Sequence, residues 1–445
     1  MKVKIHSKDI YAQAEGGISH PVPNEKYGGF FMKLPLDHFK DTGDNKTFYN
    51  KYWVNTDHYN PNGPMILYNV GESAADESAI LVTNSTMAQL AEKLKGIIII
   101  MEHRFYGSSG PNVTTFFSHT KEDLETFNAK QALADMAYMV SNIKVVFQFH
   151  NITVPPVPQT KVIVYGCSYS GVLAAWAKDI YPNLFFAAVS SSAPVRADID
   201  FYKYFDPIIN YGSKHCISSL QGVISYVDNI LFNGSTSEVT DLKKIFYSQN
   251  LLDVTFDQIL MGNIAGAWQY GINSTYNEFE EAIFETNQTA KDLASEFSDD
   301  TAAWMWQSCT EFGFFQASPP VGLPSIISRK FSYKTFIDQC HILFSKDGEP
   351  SIPNAASINN LYKGWDIELN RAIWIDGEWD SWRELSVNNL KMDRKFDTDY
   401  SKSIVIPGAT HCFNVAEITK DTPHYLVSVF KQQYQTLYAW LHESV

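Results

Sequence analysis

Between Met65 and Ser191, short apolar runs alternate with longer stretches whose apolar positions recur every three or four residues. Met65-Ile66-Leu67-Tyr68, Ile97 to Met101, Val162 to Tyr165 and Phe185 to Val189 have the length and continuous apolar character of buried strands. Leu124 to Val146 carries Leu133, Met136, Ala137 and Val140 at helical spacing, and Val172 to Ala177 opens another helix. Strands alternating with helices predict βαβ units and a parallel sheet. The pattern changes after Pro194. From about Val195 to about Lys363 the chain reads as helical and locally acidic, with loops rich in Asn, Ser and Thr. Strand signals return at Arg371 to Ile375 and at Ile404 to Ile406, and an amphipathic helix is expected from about His424 to Leu441. The expected organisation is therefore a sheet domain over residues 28–194, a mostly helical insertion over 195–363, and a resumed sheet domain over 364–445.

Chemistry sits at the ends of those strands. Gly166-Cys167-Ser168-Tyr169-Ser170-Gly171 lies between a strand and a helix. That layout matches a nucleophile elbow, where a sharp turn lifts a serine hydroxyl clear of the sheet and small neighbours let backbones approach. In α/β-hydrolases, the partners follow in the order Ser, then Asp or Glu, then His, each after a strand. Asp376-Gly377-Glu378-Trp379-Asp380 follows one returning strand, and Pro407-Gly408-Ala409-Thr410-His411-Cys412 follows the other. His411 is the expected general base. Asp376, Glu378 and Asp380 compete for the acid, and sequence chemistry alone does not choose among them. Asp380, deepest in its loop, is the expected one. Oxyanion stabilisation is expected from the amide of Tyr169 and from the turn around Gly71 and Glu72. The fold class is thus α/β, an α/β-hydrolase sheet carrying a helical cap.

Charge narrows the partners. The 445-residue chain has 35 Lys and Arg against 49 Asp and Glu, a formal net charge of −14. No basic stripe is present, so nucleic acid and anionic lipid are not expected partners. No run approaches the roughly 18 apolar residues of a membrane helix. No metal, Walker or dinucleotide motif appears, and no cofactor is expected. The first residues lack the apolar region of a signal peptide, yet Asn-x-Ser/Thr sequons occur at Asn45, Asn84, Asn112, Asn151, Asn233, Asn273 and Asn287. So many acceptors point to a glycosylated protein of the secretory route, secreted or vacuolar, whose leader is not visible in this sequence. Five cysteines are too few for a disulfide framework. Cys167 and Cys412 read as small buried side chains beside the two central catalytic candidates.

Other stretches carry a family likeness: Leu36-Asp37-His38-Phe39, Thr47 to Trp53, Gly71-Glu72, Glu102-His103-Arg104-Phe105-Tyr106-Gly107 and Ser190 to Pro194. With the elbow and the His411-Cys412 pair, the chain resembles the serine peptidases that cleave after proline, a group spanning prolyl carboxypeptidase, dipeptidyl peptidase II and fungal acid prolyl endopeptidases. The likeness runs from about Phe30 to Leu441. It implies Ser168, Asp380 and His411 as the triad, an aromatic proline pocket involving Trp382 and Val172, proline-containing peptides as substrates, and a cap disulfide between Cys216 and Cys340. A homodimer is a further possibility it leaves open. Where relatives carry proline this chain has Ser381, and Asp376 replaces a usual asparagine, which adds charge near the site. An esterase on the same scaffold, or a hydrolase-like recognition protein without turnover, remains an alternative at this point.

Overall fold

The computed structural model describes residues 26–40, 46–111, 115–147, 150, 152–246, 248–250, 252–270, 298–344, 352–390, 398 and 400–443. Strands β1 (Gly28–Pro35), β2 (Thr47–Asn55), β3 (Met65–Asn69), β4 (Ile97–Met101), β5 (Val162–Cys167) and β6 (Phe185–Ser191) precede the insertion. The short strands β7 (Asp198–Asp200) and β8 (Gly313–Phe315) lie within it, and β9 (Ala372–Gly377) and β10 (Ser401–Ile406) follow. Eight of them form one sheet in the order β1-β2-β4-β3-β5-β6-β9-β10. β1 and β2 pair antiparallel, as do β2 and β4, and the remaining pairings are parallel. This is an α/β-hydrolase sheet with its cap inserted between β6 and β9.

The central strands are apolar throughout because both faces are covered. Every residue of β3, β4, β5 and β9 is buried. The period of two divides them between two layers. Ile97, Ile99, Leu67, Val164 and Trp374 face one core, whereas Ile98, Ile100, Ile66, Ile163, Ile373 and Ile375 face the other. Helices α1 (Thr86–Leu94), α2 (Ala129–Ser141) and α3 (Tyr169–Ile180) join the sheet's strands. The inserted cap supplies α4 (Lys214–Asn233), α5 (Thr236–Ile245), α6 (Asp253–Tyr270), α7 (Asp299–Gln307), α8 (Tyr333–Phe344) and α9 (Ala355–Tyr362). Helix α10 (His424–His442) buries Leu426, Val429, Phe430, Gln433, Leu437 and Trp440, one stripe at helical spacing. Among the described residues no helix is long and apolar enough to cross a membrane.

Several expectations change. The stretch read as one helix from Leu124 to Val146 is broken, because the Asn128 side chain accepts from the Gln131 amide and starts α2 at Ala129. The β1–β2 hairpin escaped the reading from Met65 onward, since its burial alternates between exposed and buried positions. The cap is not purely helical: β7 and β8 pair in it, Asp198 with Gly313 and Asp200 with Phe315. Its disulfide also differs. Cys340 is bonded to Cys309, not to Cys216, with Cα atoms 5.7 Å apart. Cys216 is buried in α4.

Candidate active site

Ser168 sits between β5 and α3 with φ 60° and ψ −133°, in the strained region that non-glycine residues rarely adopt. Close packing enforces the turn. A Cβ on Gly166 would collide with the Ser170 carbonyl, and the Ser168 amide donates to the Ser191 carbonyl at 3.0 Å. The neighbouring loop closes on the same turn. Gly71, at φ 79°, passes so near that an added Cβ would lie 3.3 Å from the Ser170 nitrogen. The Ser170 hydroxyl donates to the Asn69 carbonyl. Gly71 itself is not an available oxyanion donor, because its N–H is spent on Asn69 Oδ1 at 3.0 Å. The next residue is Glu72. Burial pushes its carboxyl up, opposed by a hydrogen bond from its own backbone and by nearby His411.

Geometry separates the three competing carboxylates. Asp380 is fully buried, and both its oxygens lie 3.0 Å from His411 Nδ1. A carboxylate only accepts, so Nδ1 carries the proton and Nε2 is left as the acceptor. Asp380 Oδ1 also accepts from the Trp382 amide at 2.9 Å. Glu378 is turned elsewhere, accepting from the Gly408 amide at 2.9 Å. Asp376 is buried, and its Oδ2 accepts from Asn388 Nδ2 at 2.8 Å. Burial, then the charge of Asp380, pushes the Asp376 carboxyl well above the usual range. Both causes favour the protonated acid over the carboxylate at this position.

No hydrogen bond joins Ser168 to His411: His411 Nε2 is buried and has no hydrogen-bond partner among the described residues. The two loops are tied covalently instead. Cys167, just before Ser168, is disulfide-bonded to Cys412, just after His411, with Cα atoms 5.8 Å apart. Reading these cysteines as unbridged small side chains was incorrect. Adjacency to the catalytic candidates in sequence was a usable signal for the bridge. The Cys412 amide also donates to Ser192 Oγ at 3.0 Å.

An aromatic enclosure surrounds Trp382. Its ring lies 5.5 Å from those of Phe201, Tyr204 and Phe314, and 6.3 Å from His411. Its indole N–H donates to Gln269 Oε1 at 3.1 Å. Three of those neighbours, Phe201, Tyr204 and Phe314, come from the insertion. Val172 is buried in the first turn of α3 and belongs to the same apolar cluster as Trp382. Tyr169 begins α3, directly after Ser168.

The model of the family described as serine carboxypeptidase S28 matches residues 34–261 and 214–432. The chain belongs to that family of serine peptidases. It is 28% identical over 465 residues to a probable extracellular serine carboxypeptidase of Arthroderma benhamiae, covering 87% of this chain and 63% of that protein. The chain thus spans less than two thirds of that relative's length. It is 28% identical to serine protease vicPb of Bipolaris victoriae, over 86% of this chain and 83% of that protein. Prolyl carboxy peptidase like protein 5 of Caenorhabditis elegans is 34% identical over 170 residues, covering 38% of this chain and 32% of that protein.

Of the seven sequons, Asn233 is exposed at the end of α4 and Asn84 is half-buried, 3.4 Å from Glu417 Oε2. Asn45, Asn112, Asn151, Asn273 and Asn287 lie outside the described residues.

Proposed function

We propose that this S28 peptidase hydrolyses peptide bonds on the carboxyl side of proline through an acyl-enzyme on Ser168. The observation that carries the reading is the buried Asp380–His411 pair, fastened by the Cys167–Cys412 bridge to the elbow bearing Ser168. His411 Nε2 takes the Ser168 proton as the hydroxyl attacks the scissile carbonyl, then returns it to the leaving amine. Asp380 holds the tautomer and stabilises the imidazolium. Water attacks the acyl-enzyme by the same route in reverse. The Tyr169 amide would stabilise the oxyanion; the Glu72 amide, next after the occupied Gly71, is held by its own carboxyl. One such donor is typically worth about 3 kcal/mol of transition-state stabilisation.

Proline preference rests on the rigid aromatic enclosure around Trp382, which suits a flat pyrrolidine ring, and on the name of the C. elegans relative. The secretory route is supported by two disulfides among the described residues, by the exposed sequon at Asn233, and by the extracellular name of the A. benhamiae relative. Ser168→Ala should abolish turnover of a peptidyl-proline p-nitroanilide while the thermal unfolding midpoint is retained. Comparable turnover of p-nitrophenyl esters with no cleavage of the anilide would replace this reading with an esterase.

A further inference from the structure

Tyr169 matters twice: its amide is the proposed oxyanion donor, and its side chain is clamped at the far end. The hydroxyl accepts from Gln307 Nε2 at 2.8 Å and lies 3.2 Å from His103 Nε2. His103 Nδ1 lies 2.7 Å from the Arg104 carbonyl, which can only accept, so Nδ1 carries the proton. Burial drives the His103 pKa down to about 4, which leaves Nε2 free to accept from Tyr169. Gln307 Oε1 in turn accepts from the Tyr106 hydroxyl at 2.8 Å. Every proton in the chain Tyr106–Gln307–Tyr169–His103–Arg104 therefore has one direction. Tyr106, His103 and Gln307 are fully buried, and Tyr169 is 2 % exposed. His103 and Tyr106 come from the loop after β4, whereas Gln307 is the last residue of cap helix α7.

We infer that His103 and Gln307 are positioning residues that hold Tyr169, and through it the oxyanion amide beside Ser168, so that the cap contributes to transition-state stabilisation. This rests on the triad reading above. A buried network with all partners satisfied fixes a side chain more firmly than packing alone. A ring locked at its hydroxyl restrains the backbone at the start of α3.

Steady-state kinetics on a peptidyl-proline anilide test the inference, together with the affinity of a peptidyl-proline boronic acid, which mimics the tetrahedral state. Gln307→Leu and Tyr169→Phe should each lower kcat about tenfold with KM little changed, a part of the full donor effect. Both should weaken the boronate in proportion, and the double variant should be no worse than either single one. Gln307→Glu supplies the readout that mere packing would not move. A neutral carboxyl can still donate to Tyr169 and accept from Tyr106, whereas an ionised one cannot donate. That variant should work almost normally at pH 4 and fall toward the Gln307→Leu rate, relative to the parent enzyme, as pH rises through the titration of its carboxyl, which burial and the neighbouring Glu311, itself raised to about 8, push up. An unchanged kcat in Gln307→Leu, additive losses in the double variant, or a pH-independent Gln307→Glu ratio overturns the inference. If Ser168→Ala is inert while Gln307→Leu keeps full kcat, only this inference falls. If Ser168→Ala still turns over, the triad reading falls with it.

Discussion

Arg104 and Asp257 are both buried ionisable side chains, one under the sheet domain and one inside the cap, and their surroundings are opposite. Arg104 Nε and Nη2 grip Asp135 at 2.6 and 2.7 Å, and its Nη1 reaches the carbonyls of Leu36 and Thr126 at 2.9 and 2.8 Å. His38 Nε2 adds a contact to Asp135 at 2.7 Å. Burial alone would raise the Asp135 carboxyl, but the charge and hydrogen bonds of Arg104 hold it below the usual range. Asp257, on α6, is 2 % exposed, and neither of its oxygens has a hydrogen-bond partner among the described residues. The neighbouring Ser328 hydroxyl donates to Asp228 instead, at 2.7 Å. Burial first, then Asp228 and Asp253, push Asp257 up to about 7, with Ser328 and then Lys330 opposing. In the sheet domain a charge is kept by surrounding it with partners. Around Asp257 in the cap, burial instead favours the neutral acid.

The acid loop holds both cases a few residues apart, so it gives the largest test of this contrast. Asp380→Asn removes the charge and the tautomer control from His411 and should cut kcat by about 10⁴. Asp376→Asn removes a carboxyl whose charged form burial and Asp380 disfavour, and should leave kcat within a few fold. The contrast breaks if the two variants change places in the same anilide assay. In the sheet domain, Asp135→Ala leaves Arg104 buried without its carboxylate. It should cost about 3–5 kcal/mol of stability, read as a large fall in denaturant midpoint, and insoluble expression would point the same way. The smallest effect belongs to Asp257→Asn. Asp257 titrates higher when folded than its unfolded value near 4, so acidification favours the fold and the penalty develops as pH rises from about 4 to 7. The variant should melt several degrees above the parent at pH 8 and about level with it at pH 4. A variant less stable than its parent at pH 8 would mean that the carboxylate has a role the contrast does not allow.

Much of the sheet domain was legible because fully buried parallel strands are apolar at every position. Ile97 to Met101 could hardly be read otherwise, and the order of Ser168, Asp380 and His411 follows from the strands that precede them. Choosing Asp380 over Asp376 and Glu378 needed coordinates, since all three share one loop and only direction distinguishes them. The raised carboxyl of Asp376 was hidden for a related reason: it depends on burial and on a neighbour's charge. The aromatic wall around Trp382 was illegible because Phe201, Tyr204 and Phe314 lie far along the chain from it. Cys309 rather than Cys216 partners Cys340 because α7 delivers it there, and cysteine spacing encodes nothing about that approach.

The bridge between Cys167 and Cys412 has a practical corollary. A preparation made where thiols stay reduced lacks the covalent strap between the loops of Ser168 and His411, the proposed nucleophile and base. Inactive material from a bacterial cytosol would then report on the host's redox conditions rather than on the enzyme, and thiol titration should come before any judgement of catalytic competence.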